Sequence, residues 1–338
     1  MKNKKILSIH LMTFNHEHFI KKCLNSILNH ECSYNYEIII TDDASTDKTA
    51  SILNDYKKKH PDIIDLQLNK NNKGIITNYF ETLNRCNGEY VFDISGDDFF
   101  NRGAINIICD KLIQYKNIDF IEFEYDEYFE KTNNTIKNAN RHLRSYKKEK
   151  YLNDIFSLKI LPYAWCIKTS LLKNLISLDE LKNNNIYAED YPIAIELIAN
   201  NKNFIHDINS VMTYRKSECS YHSASNFRSF EKNISMILSV KNNFIYYAKK
   251  YNIDKAIVKS MEINIFYSNA LYYSSLYNNK KSGKIYYLEL KQKRYLTPFL
   301  YFKYLSTQYF LIKKIHMFLH YLTNQNSFIR RLQQRFKL

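Results

Sequence analysis

The sequence predicts an α/β protein: a doubly wound, mostly parallel sheet followed by a basic, helical C-terminal region. Three observations carry this. From Ile6 to Phe123, short apolar segments alternate with amphipathic helical ones across short turns, the pattern that builds a parallel sheet with crossover helices. The strand-like segments run into polar or acidic ends, Thr13-Phe14-Asn15, Asp42-Asp43 and Asp97-Asp98. Ligands of open α/β sheets bind outside the carboxyl ends of the strands. Third, the net charge of +15 is uneven: Met1–Ser229 holds 30 basic and 30 acidic residues, Phe230–Leu338 holds 19 and 4. The expected division is therefore a neutral body over residues 1–229 and a basic, aromatic-rich region over 230–338.

In chain order, Ile6–Met12 reads as the first strand. It resembles the apolar part of a signal peptide, but it is short, contains His10 and precedes no small-residue cleavage site. His16–His30 is helical, with Ile20, Leu24, Ile27 and Leu28 on one face. Tyr36–Thr41 is a continuous β-branched run, hence a buried parallel strand. Ser45 or Thr46 can cap the next helix, which carries Ile52, Leu53 and Tyr56. Ile63–Leu68 is a third strand, Asn71–Gly74 a loop, and Ile75–Cys86 a helix ended by Asn87-Gly88. Tyr90–Ile94 is a buried strand that runs into the small turn Ser95-Gly96 and the paired acids. Asn101–Tyr115 is a helix and Ile118–Phe123 a strand.

Beyond it, the polar stretch Glu130–Lys150 reads as a flap with a turn at Thr132-Asn133-Asn134. Leu161–Leu172 is apolar and holds the single tryptophan, Trp165. Glu189-Asp190 precedes a helix over Ile193–Ala199, and Phe204–Tyr214 closes the core as a strand. From Phe230 the pattern is helical, with Ile234, Ile237, Leu238 and Phe244 on one face, then helices over Asp254–Tyr277 and Lys284–Arg294.

Composition removes several classes. Only 5 glycines and 4 prolines leave little room for disordered linkers. The 6 cysteines are scattered without a CxxC, which speaks against structural zinc or a disulfide framework and fits a reducing cytosol. No window of about 20 residues is apolar enough to span a membrane. Dinucleotide and P-loop fingerprints are absent, as is a glycine-flanked nucleophile elbow. A strand that delivers Asp97 and Asp98 at its carboxyl end can hold Mg²⁺ or Mn²⁺ over a crevice. Taken alone, the two acids are equally well read as solvated residues capping the next helix.

Several motifs, in order, resemble a family 2 glycosyltransferase with the GT-A nucleotide-diphospho-sugar transferase fold. Thr13-Phe14-Asn15 is similar to the family's T-[YF]-N, and Leu24-Asn25-Ser26-Ile27-Leu28 to its L-x-S-[IV]-L. Glu37–Asp47 resembles E-I-I-I-V-D-D-G-S-T-D, with Ala44 in place of the glycine. Asn72-Lys73-Gly74 resembles N-x-G, Gly88-Glu89-Tyr90-Val91 leads into the acid pair, and Glu189-Asp190 matches the E-D of the catalytic base. The resemblance covers about two thirds of the chain, Lys5–Arg215.

The resemblance implies a donor-binding set of Thr13, Phe14, Asn15, Asp43, Asn72, Lys73, Ser95 and Asp97. It implies a metal, Mg²⁺ or Mn²⁺, on Asp97 and Asp98, and Asp190 as catalytic base with Glu189 as its orienting neighbour. It assigns residues 1–229 to the catalytic domain. The implied reaction is inverting transfer of a sugar from a nucleotide-diphosphate donor, a UDP-sugar by expectation, to a glycan or lipid-linked acceptor in bacterial surface polysaccharide synthesis.

Two departures stand out. Ser95 replaces the leading acid of D-x-D, which predicts a weaker metal site. Ser217 stands where relatives carry a histidine, and His222 is left outside the metal set. Blander roles compete at single positions. Asp43 and Asp190 can cap helices, Lys73 can simply be solvated, Asp98 can stand behind the metal, and Trp165 can be core.

The tail, residues 296–338, has Lys313-Lys314 and Arg330-Arg331 among Phe, Leu and Tyr. That pattern fits an amphipathic helix on an anionic membrane surface, so a cytoplasmic enzyme peripheral to the inner face of the cell membrane is expected. The competing class is a non-catalytic basic protein, binding membrane or nucleic acid on a degenerate GT-A fold. The neutral body and the absence of any RNA- or DNA-binding motif speak against nucleic acid.

Overall fold

A computed structural model describes residues 5–29, 32–139, 148–156, 163–184, 186, 188–200, 202–217 and 229–325, with side chains to residue 320. Cys219, His222 and the tail beyond Gln325 lie outside the described residues. The chain divides into two compact units, with the main boundary between Ser220 and Tyr221.

The first unit is a nine-stranded sheet among the described residues. One half is parallel. β1 (Leu7–Thr13) lies between β2 (Tyr36–Asp42) and β4 (Tyr90–Ser95), and β3 (Ile64–Leu68) flanks β2. Every residue of β2 is buried, as a strand covered on both faces must be. The crossovers are α1 (Ile20–Leu28), α2 (Thr49–Lys59) and α3 (Ile75–Arg85). Helix α1 buries Ile20, Cys23, Leu24 and Ile27, the i, i+3, i+4, i+7 stripe of a core-facing helix. Where α3 returns to β4, a Cβ on Gly88 would fall 2.4 Å from the Ser8 nitrogen, so only glycine lets the turn approach β1 this closely.

The other half is mixed. The short β5 (Phe99–Phe100) and α4 (Ala104–Gln114) lead to β6 (Phe120–Phe129). β6 pairs in parallel with β9 (Phe204–Lys216) and antiparallel with β7 (Asn134–Ile136) and β8 (Trp165–Lys168). Strand β8 inserts between β4 and β6 and joins the halves. The remaining helices of this unit are α5 (Lys148–Phe156), α6 (Thr169–Leu175), α7 (Leu178–Asn183) and α8 (Asp190–Ala199).

Strand β6 runs six residues past the expected end at Phe123. Acidic residues interrupt its apolar pattern, yet each is paired. Glu124 meets His206 at 3.0 Å, Asp126 meets Lys137 at 2.5 Å and Glu127 meets Lys216 at 2.7 Å. Pairing removes the penalty that makes buried charge read as loop. Trp165 is core: its ring stacks on Phe120 at 5.0 Å.

The second unit is helical: α9 (Phe230–Lys250), α10 (Lys255–Met261), α11 (Ser268–Leu276), α12 (Lys280–Gln292), α13 (Pro298–Gln308) and α14 (Phe310–Gln325). A π-helical turn, Glu262–Tyr267, interrupts the helix expected over Asp254–Tyr277. Its own core gathers Ile237, Phe266, Tyr267, Leu271, Leu290 and Leu300. No described helix is long and apolar enough to cross a membrane.

Candidate functional site

The strand order β3-β2-β1-β4 reverses direction at β1. The crevice outside the carboxyl ends of β1 and β4 is therefore a topological switch point. Register brings Thr13 opposite Asp42 and Met12 opposite Ser95, so the polar strand ends form one rim.

The rim is tied together by its own hydrogen bonds. The Asp43 amide donates to Thr13 O at 3.0 Å. The Asp43 carboxylate accepts from the Lys73 and Gly74 amides at 2.8 and 2.9 Å and from Asn69 Nδ2 at 3.1 Å. Asn72 Nδ2 donates to Asp43 O at 3.0 Å. Asp43 thus folds the Asn72-Lys73-Gly74 loop onto the end of β2. Asn15, at φ 55°, receives the Thr46 amide on Oδ1 at 2.8 Å and donates its own amide to Ser45 Oγ at 2.8 Å. Asp42 accepts the Ser45 amide and hydroxyl. Ala44 adopts φ 62°, the left-handed conformation that glycine takes most easily. Phe14 is 43% exposed and presents an aromatic face at the rim. The Lys73 ammonium is paired with Glu81 at 2.6 Å.

The turn after β4 approaches this rim closely. Gly96 N donates to Met12 O at 3.0 Å, and a Cβ on Gly96 would lie 2.7 Å from Thr13 Oγ1. Beneath the turn sits Arg215, which in the sequence marks only the end of the resemblance. Its amide donates to Asp98 Oδ1 and its Nε to Asp97 O, each at 2.8 Å. Its guanidinium reaches Glu130 at 3.0 Å and lies 4.9 Å from the Phe19 ring centre. Burial, reinforced by the Asp97 charge, pushes the Asp98 carboxyl well above its usual range. Asp98 therefore anchors the turn to β9, while Asp97 stands at its head.

Among the described residues, no cluster of three or more His, Cys, Asp or Glu side chains could hold a metal. A magnesium-like ion shared with a substrate diphosphate needs only one or two protein carboxylates. Asp97, with the Ser95 hydroxyl on the same strand end, fits that lesser requirement.

Glu189 and Asp190 open α8. Asp190 Oδ1 accepts the Tyr191 amide at 2.9 Å. Tyr163 stacks on Tyr214 at 4.6 Å. The charge of Asp190 acts on Tyr163, and those of Asp98 and Asp97 act on Tyr214. Burial, then Asp190 and then Asp93, pushes Glu189 up from 4.5 to about 8.

Sequence reading missed Asp93, His10 and Tyr79. His10 and Asp93 are directly opposite in register on β1 and β4. Two polar residues inside otherwise apolar strands were the available signal.

The fold and this rim define the class of nucleotide-sugar transferase folds. Staphylococcus aureus TarS residues 1–349 with UDP-GlcNAc superposes with a TM-score of 0.56 at 17% identity, covering 89% of this chain and 88% of that one. The mannosyltransferase PcManGT of Pyrobaculum calidifontis, with GDP-Man and Mn²⁺, gives 0.52 at 14% identity, covering 93% and 87%. Residues 8–173 match the model of glycosyl transferase family 2, and through that segment the chain belongs to this family. In sequence, 100 residues are 33% identical to the poly(ribitol-phosphate) beta-glucosyltransferase of Bacillus spizizenii. They make up 29% of this chain but only 16% of that relative's length. Glu189 and Asp190 lie outside the segment the family model matches.

Proposed function

We propose that the protein is an inverting, metal-dependent glycosyltransferase that moves a sugar from a nucleotide-diphosphate donor, a UDP-sugar, to a hydroxyl of a glycan or lipid-linked acceptor in surface polysaccharide synthesis. The observation that carries this is the convergence of Thr13, Asp43 and the Ser95–Asp97 turn at the switch point of a family 2 chain. The named relatives act on or bind a ribitol-phosphate polymer, UDP-GlcNAc and GDP-Man, which supports the substrate class.

In this reading Phe14 packs on the nucleotide base. The rim of Thr13, Asn15, Asp43, Asn72 and Lys73 holds base and ribose, and Ser95 donates to a ribose or phosphate oxygen. Asp97 holds Mg²⁺ or Mn²⁺, with Asp98 behind it fixing the turn. Bound there, the metal would neutralise charge on the departing nucleoside diphosphate. Asp190 takes the proton of the acceptor hydroxyl as that oxygen attacks the anomeric carbon from the face opposite the leaving group. A single displacement inverts the configuration and requires no nucleophilic side chain. Residues 1–229 form the catalytic domain in this reading.

The tail would bring the enzyme to its acceptor. On α14, Phe310, Leu311, Ile315, Phe318 and Leu319 are exposed, and Pro298–Gln325 contains lysines but no acid. An apolar face with basic flanks suits the surface of an anionic bilayer, on the inner face of the cell membrane. Flotation of the full chain with anionic vesicles, and its loss on truncation before Leu296, is the expected result. Equal recovery of both removes the membrane partner.

The central test incubates the protein with a panel of nucleotide-diphospho-sugars and Mn²⁺, reading thermal shift and release of nucleoside diphosphate. One donor should stabilise the protein and be turned over, with EDTA stopping turnover and Mn²⁺ or Mg²⁺ restoring it. Turnover unaffected by EDTA removes the metal role. Binding without hydrolysis or transfer favours the non-catalytic reading.

A further inference from the structure

The floor behind Ser95 holds an acid, Asp93, that the donor and metal sets leave unused. Strand β4 is interior to the sheet, between β1 and β8, so its side chains reach solvent only through a face. Alternation puts Asp93 on the same face as Ser95, and in-register pairing puts the two beside His10 and Met12 of β1. Helix α3 roofs this face. Over β2, Thr82 Oγ1 donates to Thr41 Oγ1 at 2.6 Å. Over β1 and β4, His10 Nε2 lies 3.1 Å from the Tyr79 carbonyl oxygen and the Tyr79 hydroxyl donates to Asp93 Oδ2 at 2.9 Å. The roof is closed above Thr41 and His10, which are 0% and 1% exposed. It opens above Met12, Asp93 and Ser95, each partly exposed, and the Asp93 side chain is 35% exposed. The opening thus lies over β1 and β4, and Asp93 stands two residues, about 7 Å, behind Ser95 in it.

The carboxylate is held from behind. His10 Nδ1 lies 2.8 Å from Asp93 Oδ1, and that oxygen is sealed from solvent. The exposed surface therefore lies on the Oδ2 side. Tyr79 occupies one lone pair of Oδ2, which leaves the other as a single, fixed acceptor. A carboxylate oxygen in such a place accepts strongly from a hydroxyl and repels a phosphate or a second carboxylate. In the proposed reading the base and ribose take the rim over β1 and β2, and the diphosphate lies at Asp97. The group left for the floor on the β4 side is the sugar.

We propose that Asp93, held by His10 and Tyr79, is a specificity-determining residue that accepts one hydroxyl of the transferred sugar through Oδ2 and so selects a neutral sugar over a uronic acid. The inference rests on the nucleotide-sugar reading of the site. Calorimetry on the full chain with Mn²⁺ tests it, using UDP, UDP-glucose, UDP-GlcNAc, UDP-glucuronic acid, GDP and GDP-Man. At least one neutral nucleotide sugar should bind the wild type more tightly than its bare nucleoside diphosphate and more tightly than UDP-glucuronic acid. Asp93→Ala should weaken that nucleotide sugar at least about tenfold, the scale of a hydrogen bond to a charged group, and leave the bare nucleoside diphosphate unchanged. Asp93→Asn, which keeps an oxygen for Tyr79, should narrow the preference over UDP-glucuronic acid. Equal losses for the nucleotide sugar and the bare diphosphate mark a purely structural role and overturn the proposal, as does no loss for either. If Asp93→Ala fails to fold, Asp93→Asn decides, and an unaltered preference overturns the proposal. A wild type that binds none of the panel overturns the donor reading and this inference with it, whereas tight wild-type binding that ignores Asp93 overturns this inference alone.

Discussion

The rim around Asp43 and the acidic start of α8 handle carboxylates in opposite ways. Asp43 spends both oxygens on two loop amides and an amide side chain, so its charge is matched and the loop it holds is fixed. Glu189 has a buried oxygen with no partner among the described residues, and burial drives its carboxyl toward the protonated form. The first arrangement builds a surface in advance of its ligand. The second favours a proton on the carboxyl. The comparison teaches that local hydrogen-bond supply, more than residue type, decides whether an acid organises structure or handles protons.

Substitutions can break this contrast, and the largest effect belongs to the proton side. Asp190→Asn should lower transfer by about 10²–10⁴-fold and leave donor affinity nearly intact, as measured by steady-state rates and calorimetry. On the rim, Asp43→Ala strands the donors that hold the 72–74 loop. It should cost about 2–3 kcal/mol in urea unfolding and weaken nucleotide binding. Arg215→Met, which removes the cation under the Ser95–Asp98 turn, should cost a comparable amount, about 3 kcal/mol. Donor affinity untouched by Asp43→Ala would move the nucleotide away from this rim.

A subtler effect follows from proton linkage. A carboxyl whose proton affinity is raised on folding binds more protons in the native state than in the unfolded one. Stability must therefore fall as pH rises from about 4.5 to about 8. Glu189→Gln should flatten that part of the curve. An identical pH dependence in the variant would place the buried proton elsewhere. Smallest is Ala44→Gly, which relieves the left-handed φ of 62° and should stabilise the fold by about 1 kcal/mol in thermal unfolding.

Much of the rim was legible in the sequence because its motifs are local. Thr13-Phe14-Asn15, Asp42-Asp43 and Asn72-Lys73-Gly74 sit at strand ends or in turns, where chemistry and backbone need coincide within a few residues. The acid pair was legible as a pair but not in its division of labour. Asp98 turns to a backbone amide 117 residues away, and nothing near Asp98 in the chain announces Arg215. The long β6 was hidden for the same reason, since its buried acids are paired with partners on β9 and in the segment after β7.

By itself the sequence determined the alternating α/β body, the parallel character of its first strands, the family resemblance and the place of the charge excess. Those features follow from periodicity, β-branched runs and short motifs, all read over neighbouring residues. The tertiary structure alone decided which carboxylates are matched by donors and which burial pushes toward the protonated form. Burial and hydrogen-bond partners set that balance, and they come from segments far apart in the chain, the 72–74 loop for Asp43 and Arg215 on β9 for Asp98.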